Sequence, residues 1–210
     1  MISFTDITGL ASVVLLMATT VNTVIACLPC SVLWRRIAVG ITITVTLLPM
    51  GGLSLAGAVR GITGDLSVST ILLLALTLRD QLMVTTNANK PVTETRNFLI
   101  WAIVAALLLY PSALGTSYVD TYRWGFGSMY FLAVLACVFV IAYRWKMGLV
   151  MWSVILSVGA WVVGWYESTN VWDYLIDPWL SIYAIVVLMI RMRKLYQEAI
   201  QDRDSSCTVI

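Results

Sequence analysis

The 210-residue chain has no histidine. That absence excludes haem held by an axial His, His-ligated zinc, Ser-His-Asp chemistry and any imidazole proton relay. Charge is scarce as well: Asp, Glu, Lys and Arg make up 11% of the residues, against about 25% in soluble domains. The net charge of +2 is too small for a nucleic-acid surface. The lysines, Lys90, Lys146 and Lys194, all fall outside apolar runs, so none is placed to hold retinal within a span. No Asp, Glu or Arg is placed at mid-depth of a run either, which argues against ion-coupled pumps and proton carriers.

What is present is apolar. Hydrophobic residues are 60% of the chain, nine of them tryptophan, and the mean hydropathy is +0.90. The solvent this composition suits is a bilayer. Seven apolar runs follow one another, at 7–27, 37–59, 66–78, 98–114, 129–143, 147–165 and 178–192. A span needs about 20 residues, so the third is short and the fifth draws on its flanks. The expected fold is all-α: a polytopic membrane protein with a seven-transmembrane-helix bundle over 1–192. A cytoplasmic helix extension and flexible tail are expected over 193–210, with 202–210 frayed.

Lysine and arginine set the orientation. With the N-terminus outside, the inner segments hold Arg35, Arg36, Arg79, Lys90, Arg96, Arg144, Lys146, Arg191, Arg193, Lys194 and Arg203, and the outer ones only Arg60 and Arg123. That is 11 against 2 of the 13 available. Asp6, Asp65, Asp120, Glu167, Asp173 and Asp177 fall outside, giving 2 − 6 = −4 there and 11 − 5 = +6 inside. The N-terminus is expected outside and the C-terminus in the cytoplasm, in a bacterial inner membrane.

The leading residues lack a basic n-region, so no targeting peptide is expected. Val24-Ile25-Ala26-Cys27 resembles a lipobox in spelling, but using it would invert the charge tally. Cys27-Leu-Pro-Cys30 lies at the reducing face with no second pair to relay electrons, and reads as packing beside a helix-ending proline. Cys207-Thr-Val-Ile spells a prenylation box that seven spans make redundant. No internal repeat is evident. Asn87, Asn89, Lys90 and Pro91 mark the longest inner connection as a loop, with Thr93 as the expected cap of the fourth helix. No cofactor and no metal site are expected.

The second run carries Pro49, Gly51 and Gly52, with Gly57-Ala-Val-Arg-Gly61 as a GxxxG and Gly52–Ala56 as a second small pair. Gly52, Ala56, Gly57 and Gly61 are therefore the expected helix-packing positions. A kinked or broken helix, which would suit a transport site, is the alternative. Asp6, Asp65 and Asp177 directly precede apolar runs and are expected to be N-caps, with Pro178 at the first helical position. Arg60 ends the second run, where a cation suits the helix dipole and can pair with Asp65.

The residues left for contact with a substrate or partner are Asp120, Tyr122, Arg123, Glu167 and Asp173, accompanied by Tyr118 and Trp124. Arg123 can clamp a phosphate or carboxylate, and Glu167 or Asp173 can act as base. The structural alternative is an interfacial belt of Trp124, Trp165, Trp172 and Trp179, with Arg123 paired to Asp120.

Three functions follow. The first is a non-catalytic subunit or accessory protein of an inner-membrane assembly, in envelope lipid or glycan handling. The second is a small-solute or lipid transporter using the broken second helix. The third is an outer-face enzyme acting on lipid headgroups. The expected partners are the lipid bilayer and other membrane subunits, and no nucleic acid.

Overall fold

The computed structural model describes residues 4–83, 92–115 and 119–207, with the backbone alone at 50, 92 and 202–207. The regular structure of the described residues is all helical apart from one minimal hairpin. Its elements are α1 (Phe4–Ala26), α2 (Val32–Leu47), β1 (Pro49–Met50), β2 (Leu53–Ser54), α3 (Leu55–Thr63), α4 (Val68–Leu82), α5 (Val92–Ala113), a 3-10 turn at Tyr122–Gly125, α6 (Met129–Arg144), α7 (Gly148–Val162), α8 (Val171–Leu175) and α9 (Pro178–Cys207). All seven apolar runs are helical, but the second is divided.

The division is a matter of backbone chemistry. Pro49 cannot donate the amide that would continue α2. Gly51 and Gly52 have φ of +66° and +92°, the pair of positive values that a two-residue hairpin turn needs. Met50 then pairs with Leu53, and Pro49 with Ser54. The chain re-enters a helix at once, because the Ser54 hydroxyl caps α3 by accepting from Gly57 N at 3.1 Å.

This changes the account of the small residues. Gly52 sits in the turn instead of on a helix, and a Cβ at Gly52 or Gly61 would meet nothing within 4 Å. A Cβ on Gly57 would face its own neighbours Leu53 and Ser54. Of the four expected packing positions, Ala56 is wholly buried against Val13 and Val14 of α1.

The helices pack in a sequence of neighbours: α2 on α1, α1 on α4, α4 on α7, α7 on α5 and α6, and α5 on α9. The main core lies on the α5 side. There Ala102, Ala105, Ala106 and Ala184 allow close approach around Phe98, Leu99, Phe131 and Trp172. Elsewhere large apolar side chains point outward, among them Leu33, Trp34 and Ile41 of α2, Val134 and Val140 of α6, and Ile182 and Met189 of α9. Among the described residues two helices, Phe4–Ala26 and Thr93–Ala113, are long and apolar enough to cross a membrane. The expected tail is corrected in part, since α9 continues as helix through Cys207.

Polar contacts tie the bundle at both ends. At one end Asn22, fully buried, donates to Gln81 Oε1 at 2.6 Å and accepts from Arg35 Nε at 3.3 Å. Arg36 reaches Leu82 O at 3.0 Å. Glu94, in the first turn of α5, accepts from Leu149 N at 3.1 Å and so caps α7 from another helix. Cys27 and Cys30 are free and exposed at this end. The expected loop at 87–91 lies outside the described residues, and Thr93 falls within the first turn of α5.

Candidate functional site

The opposite end gathers the six acids assigned to the outer face. Arg60 is their hub: its Nε lies 2.6 Å from Asp65 Oδ1, its Nη2 3.2 Å from Asp65 Oδ2 and its Nη1 3.0 Å from Asp6 Oδ1. The hydrogen bonds to Asp65, opposed by burial, hold the Arg60 proton more tightly than usual. Gly9 makes room for this cluster, since a Cβ there would collide with Asp65 and Arg60. Asp6 and Asp65 are thus ion-pair partners; Asp6 lies within the first turn of α1, and the expected capping role of Asp65 is corrected. Ser67 caps α4 instead, accepting from Thr70 N at 3.2 Å. A cation within reach outcompetes a nearby helix end for the Asp65 carboxylate.

Asp177 does cap α9, accepting from Leu180 N at 2.7 Å with Pro178 at the first helical position. Its second oxygen accepts from Ser67 N at 2.7 Å and Thr70 Oγ1 at 2.6 Å, so one buried carboxylate joins the starts of α4 and α9. Tyr166 adds a second link, donating to Leu66 O at 2.6 Å. The Tyr174 hydroxyl accepts from Tyr166 N at 3.1 Å and donates to Ser168 O at 2.8 Å.

The connection after α5 is held down from below. Asn170 caps α8 by accepting from Trp172 N at 2.9 Å and donates to Tyr122 O at 3.0 Å. Trp172 donates to Thr121 O at 2.9 Å and packs on Phe131 at 4.6 Å between ring centres. Trp172 is 3% exposed, so the structure removes it from the expected interfacial belt, whereas Trp124, Trp165 and Trp179 remain open to the surroundings. Gly125 lies so close to Asn170 that no side chain fits there. Thr121 Oγ1 donates to Leu108 O at 2.6 Å.

Between these elements lies a cavity of about 380 Å³, lined by Asp65, Leu109, Tyr110, Ala113, Tyr122, Tyr166, Ser168, Asp173, Ile176, Asp177 and Pro178. Of the five expected contact residues, the cavity brings together Tyr122 and Asp173. The Tyr122 hydroxyl and the Ser168 hydroxyl donate to the same oxygen, Asp173 Oδ2, at 3.3 and 2.5 Å. Burial and the neighbouring Asp173 raise the Tyr122 pKa, and burial raises that of Tyr166, so both hydroxyls remain protonated donors at neutral pH.

The other three expected residues stand outside the cavity. Asp120 accepts from the Arg123 backbone amide at 3.2 Å, which corrects the expected side-chain pair. The Arg123 guanidinium is exposed and has no ion pair among the described residues. Glu167 is exposed and accepts from Thr5 Oγ1 at 3.4 Å. Tyr118 lies outside the described residues. Among the described residues no three His, Cys, Asp or Glu come together as a metal-binding group.

Sequence reasoning passed over Tyr110. It lies in an apolar run, so it reads as span, yet its hydroxyl is buried in the cavity wall without a hydrogen bond of normal geometry. Ser181, the hydroxyl beside it, donates its own proton to Asp177 O at 2.8 Å. Tyr110 and Pro178 also line a second hollow of about 570 Å³ between α5 and α9. The walls of that groove are Ile103, Ala106, Leu107, Leu114, Ile182 and Ile185 with Pro111 and Ser181. A chamber with three carboxylates and three tyrosines in a partly apolar wall therefore adjoins an apolar groove across two shared residues. No family model, curated protein or solved structure matches the chain.

Proposed function

We propose that this chain is a non-catalytic accessory subunit of a bacterial inner-membrane assembly, working by holding a membrane lipid. In this reading the seven apolar runs cross the bilayer with the N-terminus outside. The acidic end then faces outward, and α5 and α9 present the groove to the acyl chains.

The observation that carries the reading is the junction at Tyr110 and Pro178. There a carboxylate- and tyrosine-lined chamber meets a groove lined almost wholly by aliphatic side chains. Amphipathic surroundings of this kind suit a molecule with a polar head and an apolar tail. The third reading, headgroup chemistry by Arg123 with Glu167 or Asp173, loses support because Arg123 and Glu167 do not line the chamber. Asp177 and Tyr166 at this end are instead engaged in joining elements of the bundle. Accessory rather than solitary behaviour is favoured by the broad outward apolar faces of α2 and α6, which can pack against another subunit within the membrane.

The test is gentle extraction of the tagged protein from native membranes, with mass spectrometry of the proteins and lipids that stay bound. A stoichiometric larger partner together with a retained lipid supports the proposal. A solitary, lipid-free protein refutes it.

The transporter reading keeps one specific observation. The break at Pro49–Ser54 lies beside an apolar cleft of about 470 Å³ between α1, α2 and α4, lined by Leu10, Val14, Ile43, Leu47 and Leu78 among others. Transport would require Gly57→Val to abolish flux into liposomes while leaving the fold intact.

A further inference from the structure

We infer that the lipid held between α5 and α9 is one whose headgroup carries a protonated primary amine. This rests on the lipid reading above and adds the chemistry of the head.

Charge is the first argument. Three carboxylates line the chamber, from Asp65, Asp173 and Asp177. The nearby cation, Arg60, is shared between Asp65 and Asp6, so the excess is negative. In a partly enclosed site this excess repels a phosphoglycerol or other anionic head and attracts an ammonium.

Hydrogen bonding is the second. Both oxygens of the Asp177 carboxylate are already engaged, by Leu180 on Oδ1 and by Ser67 and Thr70 on Oδ2, so its main contribution is charge. Asp173 differs, because both of its hydroxyl donors bond Oδ2 and leave Oδ1 for a further donor. The buried Tyr110 hydroxyl, without a hydrogen bond of normal geometry among the described residues, can accept a hydrogen bond from the same head. An ammonium with three N–H donors satisfies both, whereas a quaternary choline has none to give.

Aromatic walls are the third. Tyr110, Tyr122 and Tyr166 line the chamber, and an aromatic face presented there attracts a cation. The groove fixes the source of the amine as a lipid. It begins at Tyr110 and Pro178 and continues along Leu107, Ile182 and Ile185, where an acyl chain has apolar neighbours.

The test uses the full-length protein in maltoside micelles. It is titrated with dioctanoyl phosphatidylethanolamine, dioctanoyl phosphatidylcholine, dioctanoyl phosphatidylglycerol and free ethanolamine, and binding is read by native mass spectrometry. The ethanolamine lipid is expected to bind about tenfold tighter than the glycerol lipid, with the choline lipid between them. Tyr110→Phe removes a hydroxyl that makes no hydrogen bond of normal geometry among the described residues, so it should leave melting nearly unchanged yet weaken the ethanolamine lipid about fivefold. Asp173→Asn should erase the preference between the ethanolamine and glycerol lipids.

Equal binding of the three lipids, or tighter binding of the glycerol lipid, overturns the amine inference while the lipid site stands. An ethanolamine preference that survives both substitutions overturns the placement of the amine. Free ethanolamine binding as tightly as its lipid overturns the groove as part of the site. Binding of none of the four overturns the inference and the lipid reading together.

Discussion

The start of α9 depends on one carboxylate, and its removal should be felt well beyond that helix. Asp177 Oδ1 accepts from Leu180 N, and Oδ2 accepts from Ser67 N and Thr70 Oγ1, all between 2.6 and 2.7 Å. In Asp177→Asn one oxygen becomes an NH₂ group, and either orientation of the amide sets that group against at least one N–H donor. Hydrogen bonds to a charged group contribute about 1.5–3 kcal/mol each, so the loss of one should cost about 2–3 kcal/mol. Asp177→Ala strands all three donors and should cost about 4 kcal/mol. For a chain of this size, 2–3 kcal/mol corresponds to a fall in Tm of roughly 5–10 °C. Tryptophan fluorescence melts in maltoside would read it. Asp120→Asn is the control, because that exposed carboxylate accepts one bond of 3.2 Å and should cost about 0.5 kcal/mol. Indistinguishable melts for Asp177→Asn and Asp120→Asn would refute the argument that Asp177 joins α4 to α9.

Three further outcomes follow from the same geometry. Arg60→Gln should cost about 2 kcal/mol, between the value of a surface pair and that of a buried one, with the loss read in the same melts. Gly125→Ala should cost about 3 kcal/mol because its Cβ meets Asn170, whereas Gly159→Ala, in the open interior of α7, should gain up to about 1 kcal/mol. A gain at both glycines would contradict the close contact at Gly125. Cys27 and Cys30, exposed at the end of α1, should react with a membrane-impermeant maleimide in inverted vesicles and not in intact spheroplasts. The opposite labelling would overturn the N-out topology.

Hydropathy made the helical runs legible, because an apolar run in this chain has little else to become. The Asp177-Pro178 cap was legible too, since Pro fits the first helical position and Asp the one before it. Asp65 precedes an apolar run in the same way, and local reading could not tell capping from pairing. Its choice was made by Arg60, which the fold carries across Gly9 of α1. The hairpin announced itself as Pro49 with Gly51-Gly52, but those signals equally describe a kink. Trp172 looked interfacial because α8 is five residues long and too short for periodicity to reveal its buried face. Tyr110 was hidden by its apolar neighbours, and its role emerges only where α9 passes α5.

The central claim, one lipid held with its head among Asp173, Tyr110 and Tyr122 and its tail along α5 and α9, can be tested by photocrosslinking in liposomes. The probe is a phosphatidylethanolamine carrying a diazirine on its acyl chain, and the adducts are mapped by peptide mass spectrometry. The account predicts adducts concentrated on Ile103, Leu107, Leu114, Ile182 and Ile185, suppressed by unlabelled ethanolamine lipid and by Ala113→Trp at the chamber wall. Adducts spread evenly over the outward faces of α2, α6 and α9, and unaffected by either, would contradict it.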